Sequence, residues 1–424
     1  MAIEDEILKE ITDFFVQSRD FNGISMRWIM RAFNIDRSDL DAHINHLITA
    51  NKITLAFESS SINPHIKRLP DLPVDAQLSK LAQENVNGIC IYPTADVLAS
   101  RSELLQYDDR PYTCRLALAE AQLVPVFFEL HILEKYFRDP RYHCRFGDRD
   151  GSISVKDKHY LLGRMAKRDE IFLQSFGIGY DKDRNRVVMV FLRYLSDLST
   201  EHQQIWKAHE VDQQCKVNSD YFRASILGDW PEYYSVYEAF IQEQVEINKL
   251  ASLLGKPAFF RNTFEEQKRP IEFSPMLRPT LRNLQEFAHT LDKMLSDNID
   301  RDFFRGDISL EDEIMLDQGG VEKRRLNTIT LLERWLSAKY RTRDGEDVSR
   351  EVVSSFREVR KARQPAAHAI NQDEYDLSFP KEQDDLLGRV KQALTKLRLI
   401  LSSHPKAKDY EVPKWLDGDK IVFF

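Results

Sequence analysis

Arg363 and His368, with four residues between them, close the stretch Phe356-Arg-Glu-Val-Arg-Lys-Ala-Arg-Gln-Pro-Ala-Ala-His368. These residue types suit the cleavage of RNA without a metal. RNA carries its own nucleophile, the 2′-OH, so a protein need supply only a proton shuttle and a charge clamp. Imidazole titrates near neutral pH and can move the proton. Guanidinium stays charged and can bond two phosphate oxygens at once, which suits the clamp. Arg360 precedes Arg363 by about one helical turn on the same face, so it extends the phosphate contact. Lys361 and Gln364 flank these groups as further substrate-binding candidates. Pro365 disfavours helix at Gln364 and so opens the backbone between Arg363 and His368.

An Arg and a His at similar spacing recur at Arg37 and His43, Arg138 and His143, Arg282 and His289, and Arg398 and His404. Context separates Arg363 and His368 from these: a basic amphipathic helix before them, the break at Pro365, and a strongly periodic helix after. From Glu322 to Arg363 there are twelve Lys and Arg against seven Asp and Glu, in a chain whose formal charge is −8. That asymmetry points to an anionic partner. Over roughly residues 311 to 404 the chain resembles the HEPN superfamily, helical-bundle domains of many RNases in host defence and toxin systems. Their motif is an Arg, four to six residues, then a His. The resemblance implies a metal-independent endoribonuclease with Arg363 and His368 catalytic, no cofactor, and RNA as partner. It also implies a homodimer in which two bundles bring both motifs to one cleft. A role in phage defence or as a toxin would follow, with the rest of the chain sensing a trigger or restraining the nuclease. One position departs from the family, which commonly has Asn, Asp or His directly after the Arg where this chain has Gln364. The alternatives are a non-catalytic regulator that binds nucleic acid or protein, and a scaffold docking another protein.

Three regions must position these groups: 1–70, 71–310 and 311–424. In the first, Ile3, Ile7, Ile11, Phe14 and Phe15 recur at helical spacing. Met26 to Phe33 forms a second helix ending near Asn34. Asp36 or Ser38 caps a third, carrying Leu40, Ile44, Leu47 and Ile48. Lys52 to Phe57 is strand-like, and His65 to Leu69 is expected to return as a second strand. This order resembles a winged helix-turn-helix, whose candidate nucleic-acid contacts are Arg27, Arg31, Arg37, Lys67 and Arg68. Yet Met1 to Phe57 holds six Lys and Arg against nine Asp and Glu. Asp36, Asp39 and Asp41 open the presumed recognition helix, where they repel phosphate. A protein-contact or spacer role is therefore a stronger expectation than contact with DNA.

The middle region, whose role is unassigned, follows a linker at Leu69 to Pro73 and mixes helix and strand. Gly88 to Tyr92 reads as a short buried strand, and Tyr112 to Tyr136 as helix around Pro125. Phe176 to Tyr180 and Arg186 to Tyr194 flank the polar turn Asp181 to Asn185 as a hairpin. Residues 199–254 turn helical. The aromatic run Trp230, Tyr233, Tyr234, Tyr237 and Phe240 lacks interleaved cations and reads as core or a protein-facing surface. From Val321 onward the pattern is helical. Ile329, Leu332 and Leu336 form one stripe; Val352, Phe356 and Val359 a second; Leu387, Val390, Leu394, Leu397 and Leu401 a third. The expected class is α+β, predominantly helical.

Composition bounds the rest. The 424 residues are 42% hydrophobic and 30% charged, ordinary for a protein with real cores. The acidic start MAIEDEILKE lacks the marks of a signal peptide, and no apolar run approaches the ~20 residues of a membrane span. A cytoplasmic location is the expectation. The four cysteines are widely spaced with no CxxC, and they read as buried thiols. Walker, dinucleotide, GxSxG and HExxH motifs are absent. Asp181, Asp183 and Asn185 begin like a calcium loop but lack its Gly and bidentate Glu. His202 and His209 lie seven apart without a carboxylate cluster, so no metal site is expected.

Overall fold

The computed structural model describes residues 3–423 apart from 19, 62, 164, 212–213, 230–232, 316–320, 342–348 and 364–371. The chain is mixed α+β, about 52% helical and 16% strand, with several small sheets. Its contacts form two compact units, Met1–Arg145 with Asp150–Phe222, and Phe146–Arg149 with Arg223–Phe424. No described helix is long and apolar enough to cross a membrane.

The first unit opens with α1 (Ile3–Gln17), whose Ile7, Ile11 and Phe15 are buried. After β1 (Ile24–Ser25), α2 (Met26–Phe33) starts where the Ser25 side chain accepts from the Trp28 amide. It stops at Asn34, which takes the left-handed conformation (φ 50°) that Asn tolerates. α3 (Arg37–Thr49) is capped by Asp36, whose carboxylate accepts from the Asp39 amide at 2.9 Å. The acids expected to repel phosphate thus serve the helix itself. β2 (Ile53–Phe57) does not pair with His65–Leu69, which forms no strand. α4 (Val74–Gln83) intervenes, and β3 (Ile89–Pro93) becomes the central strand, antiparallel to β1 and β2 with Leu55 opposite Ile91. Burial explains the exchange. Ile89, Cys90, Ile91 and Tyr92 are fully buried, whereas His65–Leu69 carries Lys67 and Arg68. The sheet is therefore closed by residues beyond 70.

The second sheet of this unit has six strands: β4 (Pro125–Glu129), β5 (Tyr142–Phe146), β6 (Asp150–Val155), β7 (Phe172–Tyr180), β8 (Arg186–Phe191) and β9 (Lys216–Val217). Its order is β4-β8-β7-β6-β5, with β9 also on β7. The expected hairpin is present, Tyr180 pairing with Arg186. Asp181 takes the amides of Asp183 and Asn185 at 2.8 Å each and organises the turn. The helix expected around Pro125 is instead the edge strand β4, where Pro costs no ladder bond at the first position and Val126 and Phe128 face inward. Gly177 lies under the Tyr221 ring, where an added Cβ would come within 2.3 Å. α5 (Thr200–Lys207) follows, with His202, Gln203 and Trp206 buried.

The second unit is built on α6 (Val236–Leu253), α7 (Leu281–Met294), α8 (Thr328–Lys339), α9 (Ser349–Arg363) and α10 (Phe379–Ser402). The three expected stripes are all buried in one core, joined by Tyr237 and Phe240 from α6 and Phe287 and Leu291 from α7. This helical assembly therefore draws on residues well before 311. Residues 321–325, expected as helix, are a strand. β11 (Glu311–Met315) and the exposed β12 (Val321–Arg325) pair antiparallel, placing Glu311 opposite Arg325, Asp312 opposite Arg324 and Glu313 opposite Lys323. Short strands β10 (Tyr234–Ser235) and β13 (Ile421–Val422) pair in parallel, and Tyr234 stacks on Trp415 at 4.1 Å. In the core of α6 and α10, Arg398 Nε donates to Glu243 Oε2 at 2.7 Å, both residues almost wholly buried.

Candidate functional site

Arg360 and Arg363 occupy the last turn of α9, whose Val352, Val353, Phe356 and Val359 are buried. That packing aims both guanidinium groups at Asp292 in α7 and Asp297 just beyond it. Arg363 Nη1 donates to Asp292 Oδ2 at 2.7 Å and to Asp297 Oδ2 at 3.0 Å. Arg360 Nη2 donates to Asp297 Oδ1 at 2.9 Å, and its Nε lies 3.5 Å from Asp292 Oδ2. Asp292 is fully buried, while the side chains of Arg360 and Arg363 are 29% and 34% exposed. A carboxylate near the C-terminal end of α7 opposes the helix dipole, and the two guanidinium groups offset that cost. The bond to Asp292 is the main reason Arg363 holds its proton even more firmly than an ordinary arginine. Both contacts of Arg363 run through Nη1, so its Nε and Nη2 donate to no other described residue. That free edge can receive two phosphate oxygens.

Lys361 lies one step round α9 and is exposed. Gln364 and His368 fall outside the described residues. Asp292 and Asp297 are the partners that sequence reasoning missed. They stand some 70 positions upstream, and no spacing rule links them to Arg363.

The cationic excess of 322–363 is largely met by acids just outside that stretch. Arg334 pairs with Asp312 at 2.5 Å, Lys339 with Asp307 at 3.2 Å, and Lys323 and Arg325 face Glu313 and Glu311 at 3.9 Å. The asymmetry therefore reflects pairing within the fold and loses weight as a mark of an anionic partner.

Three of the five candidate nucleic-acid contacts of the first unit have side chains engaged within it. Arg37 pairs with Asp41 at 2.7 Å and donates to the Leu81 carbonyl at 2.6 Å. Lys67 is 8% exposed and pairs with Asp71 at 2.8 Å. Arg27 donates to Asn87 at 3.0 Å. Arg31 is exposed on α2, and the Arg68 carbonyl accepts from the Leu123 amide.

His202 and His209 part company. α5 ends at Lys207, and His202 turns inward to the Tyr136 hydroxyl at 3.0 Å, where burial lowers its pKa to about 4. His209 faces Glu129 instead, at 3.1 Å. Among the described residues, the one group of donors converging tightly enough for a metal is Glu129, His131 and His209.

No protein-family model, no curated protein and no solved structure matches this chain.

Proposed function

We propose that the chain is a metal-independent, RNA-cleaving effector of HEPN type that acts as a homodimer. In this reading Arg363 clamps the scissile phosphate and His368 moves the proton between the 2′-OH and the leaving oxygen. The supporting observation is the free edge of Arg363. Asp292 and Asp297 hold one nitrogen of the guanidinium, and the other two, which bond no other described residue, would meet an anion five residues before His368. Arg360 shares the carboxylates and keeps the cluster neutral before substrate arrives. The phosphate then adds its charge beside two fixed cations, which is the preorganised arrangement that stabilises a developing oxyanion.

The test is cleavage of labelled single-stranded RNA and tRNA in EDTA by wild type, His368→Ala and Arg363→Lys. The Lys variant preserves a cation for Asp292 while losing the two-pronged edge. Cleavage by wild type alone, leaving 2′,3′-cyclic phosphate ends, supports the assignment. Equal cleavage by all three places the activity elsewhere. RNA binding that survives His368→Ala without any cleavage by wild type favours a non-catalytic regulator.

A further inference from the structure

We infer that Glu129, His131 and His209 form a binding site for a divalent transition-metal ion of the zinc class. This inference is independent of the RNA-cleaving reading. His209 Nδ1 lies 3.1 Å and His131 Nε2 3.3 Å from the same oxygen, Glu129 Oε2. All three donor atoms lie within 4.8 Å of one another. Ligands about 2.0–2.2 Å from a tetrahedral zinc stand roughly 3.3–3.5 Å apart, so two edges of the site are already close to that spacing. The imidazole rings are edge to face, 89° apart, with centroids at 5.0 Å.

A second histidine pair in the same unit shows what a merely bridging carboxylate does. Glu4 gives Oε1 to His43 at 3.1 Å and Oε2 to His46 at 2.7 Å, one oxygen to each ring. Glu129 turns a single oxygen to both rings, which brings the nitrogens toward one point.

The backbone holds this convergence. Glu129 ends β4, whose Val126 and Phe128 are buried. Residues 209–211 run along its edge: Glu129 N donates to His209 O at 3.0 Å and Val211 N to Phe127 O at 2.8 Å. His131 follows in a single helical turn pinned by buried Ile132 and Leu133. The neighbouring Glu210 is committed to Tyr112 and Lys207, each at 3.0 Å. The Glu129 side chain is 52% exposed and each imidazole 33%, so a bound ion keeps a position open to water. Two imidazoles and one carboxylate with an open position is the donor set of hydrolytic zinc sites and suits borderline ions over calcium or magnesium.

The test is calorimetric titration of the chelator-stripped full-length chain with Zn²⁺, and with Co²⁺ followed by visible absorption. One ion per chain is expected. Affinity should fall at least about tenfold in Glu129→Gln, His131→Ala or His209→Ala, and vanish in the double histidine variant. His43→Ala/His46→Ala should bind as wild type does. Circular dichroism establishes that each variant is folded. In the unmutated chain, histidine-ring ¹⁵N spectra should show His131 and His209 shifting on Zn²⁺ addition while His43 and His46 stay in place. No ion bound by wild type, or binding undiminished in the double variant, would overturn the inference.

Discussion

Arg363 reaches from the end of one helix to Asp292 in another, 71 positions earlier, and meets its buried carboxylate at 2.7 Å. The two sides of this contact differ in what they tolerate. Asp292 has left water entirely, whereas Arg363 and its companion Arg360 remain partly exposed and can be solvated.

Removing cations should therefore cost more than additively. Arg360→Ala or Arg363→Ala alone leaves Asp292 with one guanidinium, and each should destabilise by about 1–2 kcal/mol. The double variant strands a buried carboxylate and should cost about 3–5 kcal/mol. Urea denaturation of the three variants measures this. Strict additivity would mean that Asp292 finds compensation elsewhere.

Asp292→Asn tests whether the anchor positions Arg363 for chemistry. The amide keeps the shape but loses the charge that orients the guanidinium. On the RNA-cleaving reading, kcat should fall by about 10- to 100-fold with KM little changed. A change in KM alone would make Arg363 a binding group rather than a positioned clamp.

Glu238 should make its own unit less stable as pH rises. Burial, with Glu266 and Asp148 nearby, pushes its carboxyl up to about 7 against the partial relief of Arg149. The folded chain thus holds a proton that the unfolded chain releases between pH ~4.5 and ~7. Glu238→Gln should be about 1–3 kcal/mol more stable than wild type at pH 8 and nearly equal to it at pH 4. A constant difference across that range would show that charge is not the cause.

His202 should act in the opposite sense. Burial lowers its pKa to about 4, so between pH ~6.5 and ~4 the unfolded chain takes a proton that the folded one refuses. Stability supplied by neutral His202 is complete above pH ~6.5 and is lost on acidification, by up to about 3 kcal/mol. His202→Gln should flatten this slope in denaturation followed by tryptophan fluorescence, since the Trp206 indole donates to Tyr136, the residue that faces His202.

The parts of the fold legible in the sequence were those specified locally. Asn34 and Asp36 mark where α2 stops and α3 starts, and the stripes of α8, α9 and α10 announce their buried faces. Elements decided by distant partners were not legible. Ile89–Pro93 won the centre of the first sheet over His65–Leu69 because only the apolar run can be buried on both sides. β11 and β12 have no alternating apolar pattern, and their register shows only as acids facing bases across the strands. Both candidate sites share this limit. Arg363 was visible from its motif, but Asp292 and Asp297 join it only through helix packing. Glu129 and His131 are near neighbours whose meaning depends on His209 returning along the same strand edge.

The buried pair of Glu243 and Arg398 bears on how the chain is made. Synthesis runs from the N-terminus, so Glu243 emerges from the ribosome long before its partner, 155 residues later, exists. Until then the α6 face that will hold it can settle only by keeping a carboxylate in water or protonating it. The helix carrying Arg360 and Arg363 emerges during that wait, against a face not yet sealed. The core of the second unit, to which α10 contributes Leu387, Val390, Leu394, Leu397 and Leu401, is therefore completed only once that last long helix has been made.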